Sequence, residues 1–350
     1  MKVIDVRNVN HALPEAVYRL RNEGVESDSR NGPVLKFSAP VTTVYSKPQE
    51  RVLFYPERDA NPFFHLFESL WMLSGRDDTD YVCRFVKRMS SFSDNGSTLH
   101  GAYGNRWINW FGFDQLDVVV KNLRENPYSR RELVSMWSAP DDLGKDGNDL
   151  PCNLQALFQV GESGLDMMVT NRSNDLVWGA YGANAVHFSM LHEYVASSIG
   201  LDVGKYYQVS FNLHAYKDVL DGPVSALGDR ADDPMSLPSA CPYGSGEVGY
   251  YPLMNVSKDE WDRNLQEFMA EEGKGSYTEP FFRDVAVPMI LAHDMFKAGA
   301  GASKYKAAID MANKCKASDW RVAAVEWLQR RYDRFLVRKA RAEDDGVFYE

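Results

Sequence analysis

No stretch of this 350-residue chain approaches the roughly eighteen consecutive apolar residues that a membrane-spanning helix needs, which argues against a transmembrane protein. The opening run, MKVIDVRNVNHALPEAVYRL, has no signal-peptide layout of charged end, apolar run and small-residue cleavage site, so the expected compartment is the cytoplasm. Cysteine is scarce: Cys83, Cys152, Cys241 and Cys315 lie far apart with no CxxC pair. That spacing suits free thiols in a reducing compartment, and neither a disulfide framework nor a bound metal is expected. Positive charge is also short. Lys and Arg number 39 against 49 Asp and Glu, and the formal net charge of −10 makes nucleic acid a poor candidate partner. An acidic chain that binds a phosphorylated small molecule must gather cations locally, so clusters of arginine become the feature to look for. No fixed-period repeat or low-complexity tract is present.

What is there is ample material for a core: 44% hydrophobic residues, 13% of all residues aromatic. The length suits a main domain with an appendage. A helix is expected around Glu15–Asn22, then a turn-rich SDSRNGPV, then extended VLKFSAPVTTVYS and ERVLFYP. FFHLFESLWML is apolar on nearly every side, which predicts a buried helix after Pro62. LDVVVKNLREN reads as a helix that stops at Asn126-Pro127. ELVSMW, LQALFQVG, LDMMVTN and YYQVSFNLHAY read as strands, and GANAVHFSMLHEYVASSIG as a long buried helix. Beyond about residue 255 the pattern is helical throughout, opening with Ser257 and Glu260 in capping-box spacing. The expectation is an α+β catalytic domain over 1–255, a β-sheet with packed helices, and a helical extension over 256–350.

Four short segments carry chemistry. Leu150-Pro151-Cys152-Asn153 precedes a predicted strand; alone, its cysteine reads as a small buried hydrophobe. Asn171-Arg172-Ser173-Asn174-Asp175 sets an arginine and a hydroxyl at a strand end, where a guanidinium can grip phosphate, although a solvated turn is the blander reading. Arg130 and Arg131 follow a helix stop, and His214-Ala215-Tyr216 puts two polar side chains on one face of a strand. Each is ordinary alone; their co-occurrence in order is not.

Together these segments resemble the thymidylate synthase family, which includes the pyrimidine nucleotide hydroxymethylases. The match runs from about Arg30 to about Tyr216 and takes in Glu68 in HLFESLWML and Tyr103-Gly104-Asn105-Arg106-Trp107. The resemblance implies that Cys152 is the nucleophile that adds to C6 of a pyrimidine nucleoside monophosphate. It also implies that Arg172 lowers that thiol's pKa and touches the phosphate, with Arg30 and Ser173 as further phosphate ligands. Arg130 and Arg131 match a pair that crosses into the partner's site, so the resemblance implies an obligate homodimer with shared sites. His214 and Tyr216 match the sugar-hydroxyl pair, and Asp175 an aspartate at the base and the folate. Glu68 matches a carboxylate that organises water and proton transfer, and Tyr103 a tyrosine near the C5 proton. The implied one-carbon donor is 5,10-methylenetetrahydrofolate.

The chain departs from thymidylate synthase in ways that bear on its product. Asn153 stands where a synthase usually has histidine. After Gly179 an ungapped count puts Ala183 at the base-reading position, where synthases carry asparagine; a one-residue insertion puts Asn184 there instead. The ungapped register is preferred because RSNDLVWG resembles the hydroxymethylase branch, and an alanine cannot read a uracil edge. Met89 falls where synthases place a tryptophan near the folate, which would loosen the folate and admit water; ordinary core filling is the competing meaning. The expected activity is therefore C5 hydroxymethylation of a cytidylate, CMP or dCMP. The runner-up is a divergent thymidylate synthase or a deoxyuridylate hydroxymethylase, and the alternative of another class is a catalytically silent nucleotide- or RNA-binding paralogue.

Overall fold

The computed structural model describes residues 1–230 and 241–344. The chain divides into two compact units, Met1–Arg58 with Phe64–Glu247, and Asp59–Phe63 with Val248–Glu350. The first unit holds two sheets and is α+β.

A six-stranded sheet runs in the order β1 (Lys2–Val6), β4 (Val41–Tyr45), β9 (Val203–Ser210), β7 (Gly164–Asn171), β6 (Asn153–Gly161), β5 (Leu133–Ser135). Within it β1 is parallel to β4 and β7 to β9, and the other neighbours are antiparallel. A smaller sheet runs β2 (Val25–Ser29), β3 (Gly32–Lys36), β10 (Leu213–Tyr216), β8 (Asn174–Asp175). The turn-rich SDSRNGPV thus becomes a hairpin with Arg30 at its tip, closed by Gly32 at φ +118°.

Helix α1 (Val9–Glu23) is longer than expected because Asn8 caps it, its side chain accepting from the backbone N–H groups of Asn10 and His11. Helix α2 (Pro62–Leu73) is apolar on most sides and buried along most of its length, as its composition requires. Helix α3 (Gln115–Glu125) ends at Asn126, as the Asn-Pro boundary predicts. Helix α4 (Asn184–Ser198) packs on β7 and β9 and is buried on nearly all sides.

Two segments differ from expectation. Residues 50–56, expected to be extended strand, join no sheet, because α1 supplies their partners: Asn10 Nδ2 donates to the Val52 carbonyl at 2.8 Å, and Phe54 N–H donates to Asn10 Oδ1 at 3.1 Å. YYQVSFNLHAY is two strands in two sheets. The chain leaves β9 at Phe211, whose N–H donates to the Asn171 carbonyl, and re-enters pairing as β10.

The second unit is helical, with α5 (Lys258–Glu271), α6 (Val287–Ala298), α7 (Ser303–Ala312) and α8 (Ser318–Asp344). Ser257 Oγ caps α5 by accepting from Glu260 N–H, while the Glu260 carboxylate accepts from the Thr278 hydroxyl rather than closing a capping box.

Candidate active site

The smaller sheet forms one wall of a cleft of about 520 Å³. Strand pairing puts Lys36 opposite His214 and His214 beside Asp175, so the three lie in one row across β3, β10 and β8. Two residues along, Val34 pairs with Tyr216 and also with Ser27. All six line the cleft, as the two-residue alternation of side chains demands. The His214 and Tyr216 rings meet edge to face, with centroids 5.7 Å apart.

The opposite wall comes from the open end of the β6–β7 hairpin. Because Asn153 pairs with Asn171, the residues just outside the ladder, Cys152 and Arg172, are forced together, and Arg172 N–H donates to the Cys152 carbonyl at 3.0 Å. The Arg172 guanidinium donates from Nε to the Pro151 carbonyl at 2.8 Å and from Nη2 to the Leu150 carbonyl at 3.1 Å, which fixes the loop that carries the thiol. Cys152 N–H and Asn153 N–H both donate to the Tyr103 hydroxyl, at 3.2 and 3.3 Å. Burial pushes the Cys152 thiol above its ordinary value and outweighs the pull of Arg172 and Arg30 in the other direction. Arg172 thus pulls the thiol down, in the direction the resemblance implied, but burial has the larger effect. Burial likewise pushes the Tyr103 phenol up, so it is neutral.

Arg30, Lys36 and Arg172 all line the cleft, and among the described residues no carboxylate forms an ion pair with any of them. Three cations facing one hollow in an acidic chain make a seat for an anion. Ser173, Asn148 and Asn31 add polar groups to the lining, and Asp28 one negative charge. Burial raises the Asp175 carboxyl, and its Oδ2 is buried with no hydrogen-bond partner among the described residues, while Oδ1 accepts from Trp178 N–H.

After Gly179 the backbone brings Asn184, the residue of the gapped count, rather than Ala183 into the cleft lining. Leu176–Ala183 winds as a π-helical turn with a kink at Tyr181 and Gly182. Gly182 is required there, because a Cβ would lie 2.8 Å from both Arg58 Nη2 and the Val177 carbonyl. Asn184 emerges from this turn into the cleft; Ala183 is not among the lining residues. The Asn184 amide donates to Asn174 Oδ1 at 3.0 Å, and Asn174 Nδ2 donates to Ser210 Oγ at 3.1 Å, so the carboxamide has a fixed orientation.

Other expected residues lie elsewhere. Glu68 is buried on α2, its Oε2 3.1 Å from His187 Nε2, and is not part of the cleft lining. Met89 is half-buried in a short 3₁₀ helix, Lys87–Phe92, also outside the lining. Arg130 and Arg131 line a separate hollow with Asn126 and Tyr128, and within one chain they do not reach Cys152's cleft. Lys36 and His187 were not anticipated. Alternation from Val34 could have found the first, and the i, i+3 spacing from Asn184 the second. Among the described residues no cluster could hold a metal ion, and no helix is long and apolar enough to cross a membrane.

Comparison with known proteins agrees with this geometry. Over its whole length the chain is 56% identical to the deoxyuridylate hydroxymethyltransferase of Pseudomonas phage M6, with 100% of each chain covered. It is 36% identical over 198 residues, 53% of this chain and 52% of the relative, to the protein of the same name from Bacillus phage SP01. A thymidylate synthase from Francisella philomiragia is 29% identical over 186 residues, covering 49% of this chain and 66% of the relative. The thymidylate synthase family model matches residues 15–238, which span the cysteine loop, both cleft walls and the π-helical turn, and the chain belongs to the thymidylate synthase family.

Proposed function

We propose that this chain is a folate-dependent deoxyuridylate 5-hydroxymethyltransferase that works through a covalent bond between Cys152 and C6 of the pyrimidine. The observation that carries the choice of base is Asn184 in the cleft wall, its amide held by Asn174. One amide N–H is left for O4 of uracil, and Oδ1 has a lone pair for N3–H. The cytidylate preference rested on Ala183 facing the base, and Ala183 is not in the lining. The name of the full-length phage M6 relative supports the uracil reading and an enzyme that makes hydroxymethyl rather than methyl. A silent paralogue is disfavoured because Cys152 opens onto the same cleft as the unpaired cations.

In this reading Arg30, Lys36, Arg172 and Ser173 hold the phosphate, and His214 and Tyr216 the sugar hydroxyl. Cys152 Sγ adds to C6 as its proton leaves, which makes C5 electron-rich. Methylenetetrahydrofolate, when bound, supplies the one-carbon unit. The buried, unpartnered Oδ2 of Asp175 suits a hydrogen-bonding heterocycle of that kind, with Trp178, half exposed, beside it. The neutral Tyr103 phenol, bonded to the nucleophile's backbone, stands where the C5 proton departs. The product then forms when water adds to the exocyclic methylene on C5 and Sγ is expelled from C6. Arg130 and Arg131 complete the phosphate site of a partner subunit in a homodimer.

The test is mass analysis of products from dUMP, dCMP, CMP and UMP with methylenetetrahydrofolate, for the native chain and for Asn184→Asp. The native enzyme should add carbon and oxygen to dUMP without forming dihydrofolate. Asn184→Asp should shift preference towards dCMP by about tenfold to a hundredfold, since a carboxylate can accept from N4–H but not donate to O4. Methyl transfer with dihydrofolate, or turnover of a cytidylate in preference to dUMP, would overturn the proposal.

A further inference from the structure

Helix α4 begins with Asn184 in the cleft wall, and three residues on, one helical turn deeper and on the same side, is His187. Its Nε2 faces Glu68 Oε2 at 3.1 Å, α4 supplying one group and α2 the other. Both residues are buried, at 5% and 8% exposure. The two facing atoms nevertheless make no hydrogen bond of acceptable geometry to each other or to any other described residue. Buried polar atoms are almost always bonded, and a pair that approaches within bonding distance without aligning has capacity left over for a third partner. The surroundings narrow what that partner is. The His65 ring meets His187 edge to face at 6.3 Å between centroids, and burial, with Arg58 and His187 nearby, pushes His65 far below the ordinary histidine range, so His65 is neutral. The Phe188 ring lies 5.9 Å from that of Tyr103, whose hydroxyl holds the Cys152 backbone. An imidazole and a carboxyl group are therefore set together one helical turn behind Asn184, which lines the cleft.

We propose that the Glu68–His187 pair positions the water that captures the exocyclic methylene and takes its proton, with His187 the residue that commits this chain to a hydroxymethyl product. This rests on the hydroxymethyltransferase reading above. In the step, the water oxygen forms a bond to the methylene carbon, electrons move through C5 towards the C4 carbonyl, and one water proton passes to the His187–Glu68 pair. The electrons return to rebuild the C5–C6 double bond as the C6–S bond breaks and Cys152 leaves as thiolate. Nothing is oxidised or reduced, so no hydride donor is needed at this stage.

The experiment is a single turnover with enzyme and methylenetetrahydrofolate in excess over C5-tritiated dUMP, comparing the native chain with His187→Gln and His187→Ala. Tritium release reports C5 proton loss, which precedes water addition, and product mass reports the capture itself. In both variants tritium release should stay within about threefold of the native rate, while hydroxymethyl formation falls by about a hundredfold or more. Intact-protein mass should show a nucleotide bearing the extra carbon held on Cys152. A merely positional loss of packing would slow both readouts together, and that result, or unchanged product formation, would overturn the proposal. dUMP binding measured on the same preparations shows that the variants are folded; if His187→Ala binds no nucleotide, His187→Gln alone decides. If the native enzyme makes no hydroxymethyl product from dUMP, the functional reading fails; if it does and the variants match it, only the role of His187 fails.

Discussion

Two buried glutamates, one in each unit, are treated in opposite ways. Glu279, in the helical unit, is fully buried and accepts from Asn255 N–H, Asn255 Nδ2 and Phe281 N–H. Glu68, in the sheet-bearing unit, is nearly as buried, yet its Oε2 has no hydrogen bond among the described residues. The cations repeat the contrast. In the helical unit Arg330, Arg331 and Arg334 converge on the Asp59 carboxylate. In the cleft Arg30, Lys36 and Arg172 have no carboxylate partner among the described residues. In these examples the helical unit's polar groups are consumed by the fold, and those at and behind the cleft are left open to a ligand. An unsatisfied buried group costs about 1–3 kcal/mol, so leaving several in one place is stable only where the rest of the fold offsets it.

The largest expected effect falls on the open side. Cys152→Ser should lower turnover by more than about a thousandfold with dUMP binding largely kept, because serine matches the size of the thiol but its hydroxyl is far less acidic. Retention of more than a few per cent of activity would rule out the covalent step. A smaller effect follows from Arg172. Burial already holds the thiol above its ordinary value, and the guanidinium pulls against it. Alkylation of Cys152 by iodoacetamide should therefore be slow at neutral pH and climb with a midpoint above that of an ordinary cysteine, about 8.5. In Arg172→Ala the midpoint should move further up, and a midpoint at or below the ordinary value in the native chain would contradict this account. The other cysteines are separated by following the modified peptide.

Much of the cleft was legible because its residues sit in motifs with fixed offsets: Cys152 ahead of a strand, Arg172 to Asp175 after the returning one, His214 and Tyr216 two apart. Strand alternation then explains why they share one face. The register at the base was not legible. A linear count assumes ordinary winding, and the π-helical turn over Leu176–Ala183, with its kink at Tyr181 and Gly182, departs from it before α4 begins. The segment over residues 50–56 misled for a different reason: its β-favouring composition says nothing about the side chain of Asn10, which takes its backbone bonds. Lys36 and His187 carry no motif and become visible only once their neighbours are placed. In the proposed dimer, what Arg130 and Arg131 do would depend on a second chain, which no single-chain pattern contains.

The smallest expected effect belongs to the closed side and sharpens the comparison by leaving activity alone. Asp59 accepts from Arg331 Nη1 at 3.0 Å and Nη2 at 3.2 Å, from Arg330 Nη2 at 3.1 Å and from Arg334 Nη2 at 3.3 Å. Burial by itself would raise this carboxyl, but the arginines outweigh it and hold it below the ordinary range. A carboxylate lowered in the folded state contributes stability that is complete above its unfolded value, about 4, and is lost as pH falls through the folded one. The side chain is about a third exposed, at 32%, so solvent screens the pairs, and the contribution is about 1 kcal/mol or less. Asp59 also sits at φ +45°, a conformation that asparagine tolerates as well as aspartate does, so Asp59→Asn removes the charge without straining the backbone. The variant should therefore melt slightly below the native chain at pH 7, close that gap progressively as pH falls below about 4, and turn over dUMP at the native rate. Parallel melting and activity profiles would be recorded across that range. A stability gap that persisted at low pH would mean that packing, not charge, holds this site together, and a loss of turnover would mean that the helical unit is not closed on itself as its pairing implies.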